Sequence, residues 1–281
     1  MTFSPELTFN DGNTIPQLGY GVWQVEDDVA EKVVVQAFEA GFRHIDTAKI
    51  YGNEAGVGRA IERSGLKPEE IFITTKLWNA DQGYESTLKA FEESMERLGL
   101  ETLDLYLIHW MQPKQDKYVD TWKALIELQK QGRVKTIGVS NFTKEGLQRL
   151  IDETGVVPAI NQVELHPFFN QAELREFNAL KGILTQAWSP LGQGGELLES
   201  PVISQIAAKH GATPAQVVIA WHLAIGNVVI PKSVTESRIR ENYAALDVTL
   251  DETDIQAIDG LDRSAEGAGR IGPDPAVSDF A

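Results

Sequence analysis

Gly41-Phe-Arg-His-Ile-Asp46-Thr-Ala-Lys-Ile-Tyr51-Gly-Asn-Glu54-Ala-Gly-Val-Gly58 decides how this chain folds. Phe42 to Ile45 reads as a short buried strand that stops at a carboxylate, Asp46. Five residues later a phenol, Tyr51, sits in a Gly/Asn-bearing turn. A charge at a strand end followed by a phenol on the next loop is how a parallel α/β barrel presents reactive groups. The pattern carries weight only if matching groups stand at other strand ends.

Working outward, seven more apolar runs alternate with amphipathic segments. Together the eight are Leu18–Trp23, Phe42–Asp46, Ile71–Lys76, Leu103–His109, Val134–Val139, Ile160–Glu164, Ile183–Trp188 and Val228–Pro231. Each is short and most are rich in Val, Ile, Leu or Phe, as strands buried on both faces are. Helical patterns lie between them, among them Ala30–Glu39, Tyr84–Arg97, Tyr118–Gln131, Lys144–Glu153, Gln171–Leu180, Pro201–His210 and Pro214–Ile225. Thr213-Pro214 supplies a helix cap with proline at the first helical position. Eight βα units without a second composition zone predict an α/β chain folded as one (β/α)8 TIM barrel, residues 1–281. At its start, Leu7–Asn10 and Thr14–Pro16 flank Asp11-Gly12, a type I′ hairpin signal. That hairpin, within residues 1–16, is expected to close the barrel bottom. The tail, residues 262–281, is acidic and aperiodic, either a frayed terminus or a segment lying near the barrel mouth.

The chain has 25 Lys and Arg against 41 Asp and Glu, a net charge of −16. So acidic a surface repels nucleic acid and anionic membranes, and neither is expected as a partner. An anionic cofactor would need a local basic cluster. Cysteine is absent, which removes disulfides, thiolate metal sites and thiol nucleophiles. His44, His109, His166, His210 and His222 show no metal-ligand spacing, so no metal is expected. Residues 1–10 lack the features of a signal peptide, and no apolar run approaches membrane-span length. A cytoplasmic, monomeric protein without an obligate protein partner is expected.

At the strand ends stand Asp46, Lys76, His109, Ser140 with Asn141, Gln162 with Glu164, Trp188, and Lys232 with Ser233. Any one of these alone is better explained as a salt bridge or a solvated turn. Asp, Lys, His and Tyr together on one face suggest chemistry. A phenol titrates near pH 10. Lys76 close to Tyr51 is expected to lower that value by attraction, and Asp46 to keep Lys76 charged. The product would be a proton donor matched to a developing alkoxide. His109 is either a second donor to the same oxygen or a satisfied core histidine.

Gly41–Gly58 resembles the first signature of the aldo-keto reductases. Ile137-Gly-Val-Ser140-Asn141-Phe142 resembles the second, and Ile230-Pro-Lys232-Ser233 with Arg238 and Asn242 is similar to the third. The likeness runs in order from Asp11 to about Asp259. It implies a (β/α)8 barrel that passes hydride from NADPH to a carbonyl, with Asp46, Tyr51, Lys76 and His109 as the catalytic tetrad. It also implies that Ser140, Asn141 and Gln162 bind the nicotinamide carboxamide and that Trp188 stacks on its ring. Ser189, Leu191, Gln193 and Gly194 match the loop over the pyrophosphate. Lys232, Ser233 and Arg238 match the 2′-phosphate grip, with Glu241 and Asn242 near adenine. Lys232, Arg238 and Arg240 would make the basic cluster that an anionic ligand requires. Gly56-Val-Gly58 lacks the third glycine of a dinucleotide fingerprint, which this family does without.

Two departures stand out. His109-Trp110-Met111 replaces the family's His-Trp-Pro, which is expected to alter the loop lining the substrate pocket. Thr235 and Glu236 stand where some relatives carry an arginine, which bears on the preference for NADPH over NADH. Trp23, Trp78, His109 and Trp110 are expected to wall the substrate pocket. Within the family the chain resembles the bacterial 2,5-diketo-D-gluconate reductases, on Ile15–Val22, Phe72–Trp78 and Gly269-Arg270 among other segments. This implies reduction of 2,5-diketo-D-gluconate to 2-keto-L-gulonate, or of small aldehydes such as methylglyoxal. The rival readings are a Schiff-base lyase using Lys76 or Lys232, and a non-catalytic cofactor-sensing barrel.

Overall fold

A computed structural model describes residues 3–280. The chain opens with the antiparallel pair β1 (Glu6–Thr8) and β2 (Thr14–Pro16). Then follow β3 (Tyr20–Gly21), α1 (Asp27–Ala40), β4 (His44–Asp46), α2 (Glu54–Ser64), β5 (Phe72–Leu77), α3 (Tyr84–Leu98) and β6 (Leu103–Ile108). The second half runs through α4 (Tyr118–Lys130), β7 (Val134–Ser140), α5 (Lys144–Thr154), β8 (Ile160–Glu164), α6 (Ala172–Leu180) and β9 (Leu184–Trp188). It ends with α7 (Pro201–His210), α8 (Pro214–Ala224), β10 (Val228–Val229), α9 (Glu236–Tyr243) and α10 (Glu252–Asp259).

Strands β3 to β10 pair in parallel, each with the next in sequence. The ring closes between its first and last strands through the parallel bridge Leu18↔Val229 and the bonds Gly19 N to Val229 O and Val229 N to Gln17 O, both 2.8 Å. The fold is a (β/α)8 barrel. β5 and β6 are buried at every position, which explains their unbroken apolar runs. The first and last barrel strands are shorter than their apolar runs, two residues each. There the closure rests on bridge and loop bonds rather than on a full ladder.

The opening hairpin turns through three residues rather than a type I′ pair. Phe9 N bonds Asn13 O at 2.9 Å and Gly12 N bonds Phe9 O at 3.1 Å, while only Gly12 in this loop has a positive φ, 89°. A type I′ turn needs positive φ at both central residues, and Asp11 does not adopt it. Phe9 and Ile15 are buried with Phe72, Leu105, Ile160 and Val228 at the barrel bottom.

Local sequence explains the helix ring. Thr213 caps α8 in a reciprocal box: its hydroxyl accepts from Gln216 N at 3.3 Å and Gln216 Oε1 accepts from Thr213 N at 3.0 Å. Gly56 and Gly58 of the opening motif are packing residues. A Cβ at Gly56 would lie 2.3 Å from Asp27 O of α1, and one at Gly58 would lie 2.7 Å from Leu98 O of α3. Their bare backbones let α2 press against both neighbours and so fix the loop that carries Tyr51. Among the described residues no helix is long and apolar enough to cross a membrane.

Candidate active site

Asp46 ends β4 with its carboxylate turned into the barrel mouth, 2 % exposed. Lys76, on β5 and fully buried, places Nζ 2.5 Å from Asp46 Oδ1, 2.8 Å from Thr47 O and 3.4 Å from Tyr51 Oη. An ammonium this deep is tolerated only with its donors used, and here three oxygens receive them. Burial works to lower the Lys76 pKa, but the Asp46 charge and the Tyr51 oxygen outweigh it and hold the group above its ordinary range. It is a fixed cation.

Tyr51 lies on a single helical turn, Lys49–Tyr51, after β4. Its position comes from Asn53, whose amide donates to Val22 O and Val25 O at 2.9 and 2.8 Å and whose Oδ1 accepts from Thr47 Oγ1 at 2.7 Å. The expected lowering of the phenol's pKa is not the net outcome. Burial pushes it up by more than Lys76 pulls it down, and Asp46 adds to the rise. Tyr51 therefore keeps its proton throughout the neutral range. The lysine acts on the anion that would form, not on the resting phenol.

His109, just past β6, meets the Tyr51 ring edge-on with centroids 5.7 Å apart, and Trp78 at 5.3 Å. Burial, with Lys76 nearby, holds its pKa well below 6.5, so the imidazole is neutral. Its Nδ1 is buried without a hydrogen-bond partner among the described residues. The four groups read from the strand ends thus stand together at one mouth.

Beside them, Gln162 of β8 donates to Asp46 Oδ2 at 2.7 Å. That bond uses one of its two amide N–H groups, and the second N–H and the amide oxygen stay available to an outside carboxamide. Asn141, at φ 57° after β7, donates to His109 O and to Ser140 Oγ, each at 3.0 Å, and accepts from Trp188 Nε1 at 2.9 Å. Ser140 Oγ donates to Gln162 O at 2.9 Å. One hydrogen-bonded chain therefore runs from the Trp188 indole to the tetrad. Ser189 follows at a positive φ of 48°, and the loop onward through Leu191 to Gly194 places Gln193 at φ 57° with its side chain exposed. Arg263 holds the far end of that loop by two bonds to Glu196, at 2.6 and 3.0 Å.

Lys232 and Arg238 are exposed, and neither is ion-paired among the described residues. Arg240 does not join them: it pairs with Glu236 at 3.0 Å and Glu39 at 3.8 Å on the outer face of α9. Ser233 stays with the pair, its carbonyl bonded by the Tyr20 hydroxyl and its Oγ accepting from Thr235 N at 3.1 Å. Glu241 turns to the α8 cap, where Thr213 Oγ1 donates to it at 2.7 Å. Asn242 is buried on α9. Two unpaired cations on a strongly acidic chain, beside a mouth edged by positive-φ residues and an indole held by its N–H, fit a phosphorylated nicotinamide nucleotide.

Trp78 meets the His109 ring edge-on and Trp110, next to His109 in sequence, is buried, while Trp23, after β3, is 46 % exposed. Met111 is buried against α5, its sulfur 2.2 Å from where a Cβ on Gly146 would stand. One wall residue escaped sequence reasoning. Phe280, in the aperiodic tail, sets its ring 5.0 Å from Trp110 and 6.0 Å from Trp78, and its carbonyl accepts from Asn79 Nδ2 at 2.9 Å. Thr47, whose carbonyl holds Lys76, was likewise unsignalled.

With this geometry in hand, likeness to known proteins is specific. The model of the Aldo/keto reductase family matches residues 16–263. The chain belongs to the aldo/keto reductase family. An aldo-keto reductase of Mycolicibacterium smegmatis is 55% identical over 277 residues, 99% of each chain. The methylglyoxal reductase DkgA of Salmonella typhimurium is 52% identical over 270 residues, 96% of each. Among solved structures, a mutant of Gox0644 in complex with NADPH superposes with a TM-score of 0.94 at 51% identity, covering 99% of this reductase and all of that chain. Among the described residues, no group of three or more His, Cys, Asp and Glu could hold a metal ion.

Proposed function

We propose that this aldo-keto reductase uses NADPH to reduce small uncharged aldehydes, with Tyr51 as the proton donor. The observation that carries the reading is the chain Asp46–Lys76–Tyr51, a phenol kept protonated beside a permanently charged, fully buried ammonium. As a carbonyl oxygen gains charge, the Tyr51 O–H donates to it. The charge passed to the phenol oxygen then lies next to Lys76, so stabilisation grows as the reaction proceeds. Neutral His109 can donate a second hydrogen bond to the same oxygen. When bound, NADPH supplies the hydride. Ser140, Asn141, Gln162 and Trp188 would hold its nicotinamide end, the Ser189–Gly194 loop its pyrophosphate, and Lys232, Ser233 and Arg238 its 2′-phosphate. A Schiff-base role for Lys76 fails on charge, because Asp46 and Tyr51 hold it as the ammonium and an ammonium is not a nucleophile.

The substrate reading rests on the walls. Trp78, Trp110 and Phe280 are aromatic, and two lysines whose partners neighbour those rings in sequence are already paired: Lys49 with Asp81 at 2.8 Å and Lys114 with Asp279 at 3.4 Å. An aldehyde without charge, such as methylglyoxal or an aromatic aldehyde, suits that surface better than an anionic sugar acid. DkgA of Salmonella, 52% identical, carries the methylglyoxal reductase name. The second reading, reduction of 2,5-diketo-D-gluconate, draws on Lys114, which would be freed for a carboxylate if Asp279 moved.

Initial rates of NADPH oxidation with methylglyoxal, benzaldehyde and 2,5-diketo-D-gluconate decide between them. The neutral aldehydes are expected to show the higher kcat/KM. A preference for the sugar acid by more than tenfold would reverse the order. Arg238→Ala is expected to weaken NADPH binding by about 1–3 kcal/mol with little effect on NADH. Equal losses for the two would remove the phosphate grip.

A further inference from the structure

The tail crosses the mouth through contacts that the proton-donating cluster does not use. Glu164 ends β8, next but one to Gln162, and is 1 % exposed. Its Oε1 accepts from Ile271 N at 2.5 Å and its Oε2 from Gly272 N at 2.7 Å, while His166 Nε2 lies 3.1 Å from Oε1. Burial alone would raise this carboxyl's pKa, but His166 and the two backbone N–H groups outweigh it and hold the group below the usual range. It is a carboxylate, the form able to accept both bonds, and charge-assisted bonds sheltered from water are the strong kind.

What the clasp holds matters more than that it holds. Gly272 packs close against the indole that the tetrad chain orients: a Cβ there would stand 2.5 Å from Trp188 Cη2 and 3.0 Å from Glu164 Oε2. From that point eight residues lead to Phe280. Its ring closes on Trp78 and Trp110, and its carbonyl is held by Asn79. One carboxylate at a strand end therefore fixes where the outer wall of the pocket begins. Arg270, just before the clasp, lies over the Phe169 ring at 4.5 Å, which holds the approach to it as well.

We propose that Glu164 is a positioning residue for carbonyl binding: by gripping the backbone of Ile271 and Gly272 it seats the tail so that Phe280 completes the pocket. The proposal rests on the carbonyl-reductase reading of this site. It predicts that the wall, and with it the selectivity for bulky aldehydes, fails when the grip is broken, although Glu164 touches no substrate.

Glu164→Gln in the full-length chain keeps the side chain's size but turns one acceptor into a donor facing an N–H. Trypsin cuts after Arg270, at the bond whose N–H the clasp holds, so cleavage there reports seating directly. Cleavage is expected to quicken at least tenfold. KM for an aromatic aldehyde should rise about tenfold, with kcat and the Kd for NADPH within about twofold. Phe280→Ala, which leaves the clasp intact, should raise KM alike without speeding cleavage. The double variant should be no worse than either single one. Unchanged KM despite faster cleavage, or additive losses in the double variant, would overturn the proposal. Aldehyde binding followed by tryptophan fluorescence reads the same wall without turnover. If the wild-type chain reduces nothing, that loss of binding in Glu164→Gln still supports the clasp, and its absence still sinks it.

Discussion

The two ends of the barrel are built from opposite materials. At the bottom, Phe9 and Ile15 of the hairpin pack onto Phe72, Leu105, Ile160 and Val228, and the polar groups there, Asn10 and Asn13, donate to Pro158 O and Lys135 O. At the top, Asp46 and Lys76 are as deeply buried as those apolar side chains, yet both are charged. Burying apolar surface stabilises the fold. Burying an ion pair returns little net stability, since desolvation offsets most of the attraction. The bottom accordingly holds the barrel shut, and the top keeps charges whose return is chemical.

That division can be broken by experiment. Tyr51→Phe removes one oxygen at the top. It is expected to lower kcat for carbonyl reduction by about 10²–10⁴-fold, with unfolding midpoint and NADPH binding nearly unchanged. Steady-state rates and urea titration check both halves, and full activity in the variant would end the role given to the phenol. Ile15→Ala at the bottom should do the reverse. Ile15 is wholly buried, and such truncations cost about 2–5 kcal/mol. The folded fraction should keep its kcat. A tenfold fall in kcat for that variant would mean the two ends are mechanically joined.

How much of this could be read from sequence differs in the same way between local and distant contacts. Asp46, Lys76 and His109 were legible because an apolar strand ending in a polar residue is a local pattern, and a barrel turns all such ends to one face. The hairpin was legible as a hairpin, but its turn type was not, since Asp11-Gly12 suits both a two-residue and a three-residue loop. Gln162 was legible as a strand-end residue, but its partner was not. Its bond to Asp46 joins residues 116 apart in sequence, on β8 and β4. The direction of the Tyr51 shift depends on whether burial or Lys76 prevails, a balance of distances that no spacing encodes. Phe280 and the Glu164 clasp were invisible for a plainer reason. The tail has no periodicity, and its bonds to Glu164 span 107 and 108 residues.

The outer ring of helices offers the finest test, because charges there lie between the two regimes. Lys209 of α7 places Nζ 2.6 Å from Asp251 Oδ2 and 2.8 Å from Asp254 Oδ1, and His210 Nε2 lies 2.7 Å from Asp254 Oδ2, tying α7 to α10. Burial would raise the Asp254 carboxyl, but Lys209 and His210 outweigh it and lower its pKa from 3.8 to about 2. A depressed carboxylate stabilises the fold above its ordinary pKa, and that gain is lost as pH falls through the lowered one. Lys209 is half exposed, so solvent screening cuts the gain to about 1 kcal/mol. Asp254→Asn keeps an oxygen for the bond from Asp251 N at 3.2 Å and so spares the helix cap. The variant should be less stable than wild type at pH 7 by about that amount, with the gap closing as pH drops from 3.8 towards about 2. Urea titrations at three pH values measure it. A gap that stays constant with pH would assign the loss to packing, and the outer ring would then resemble the barrel bottom rather than a milder version of its top.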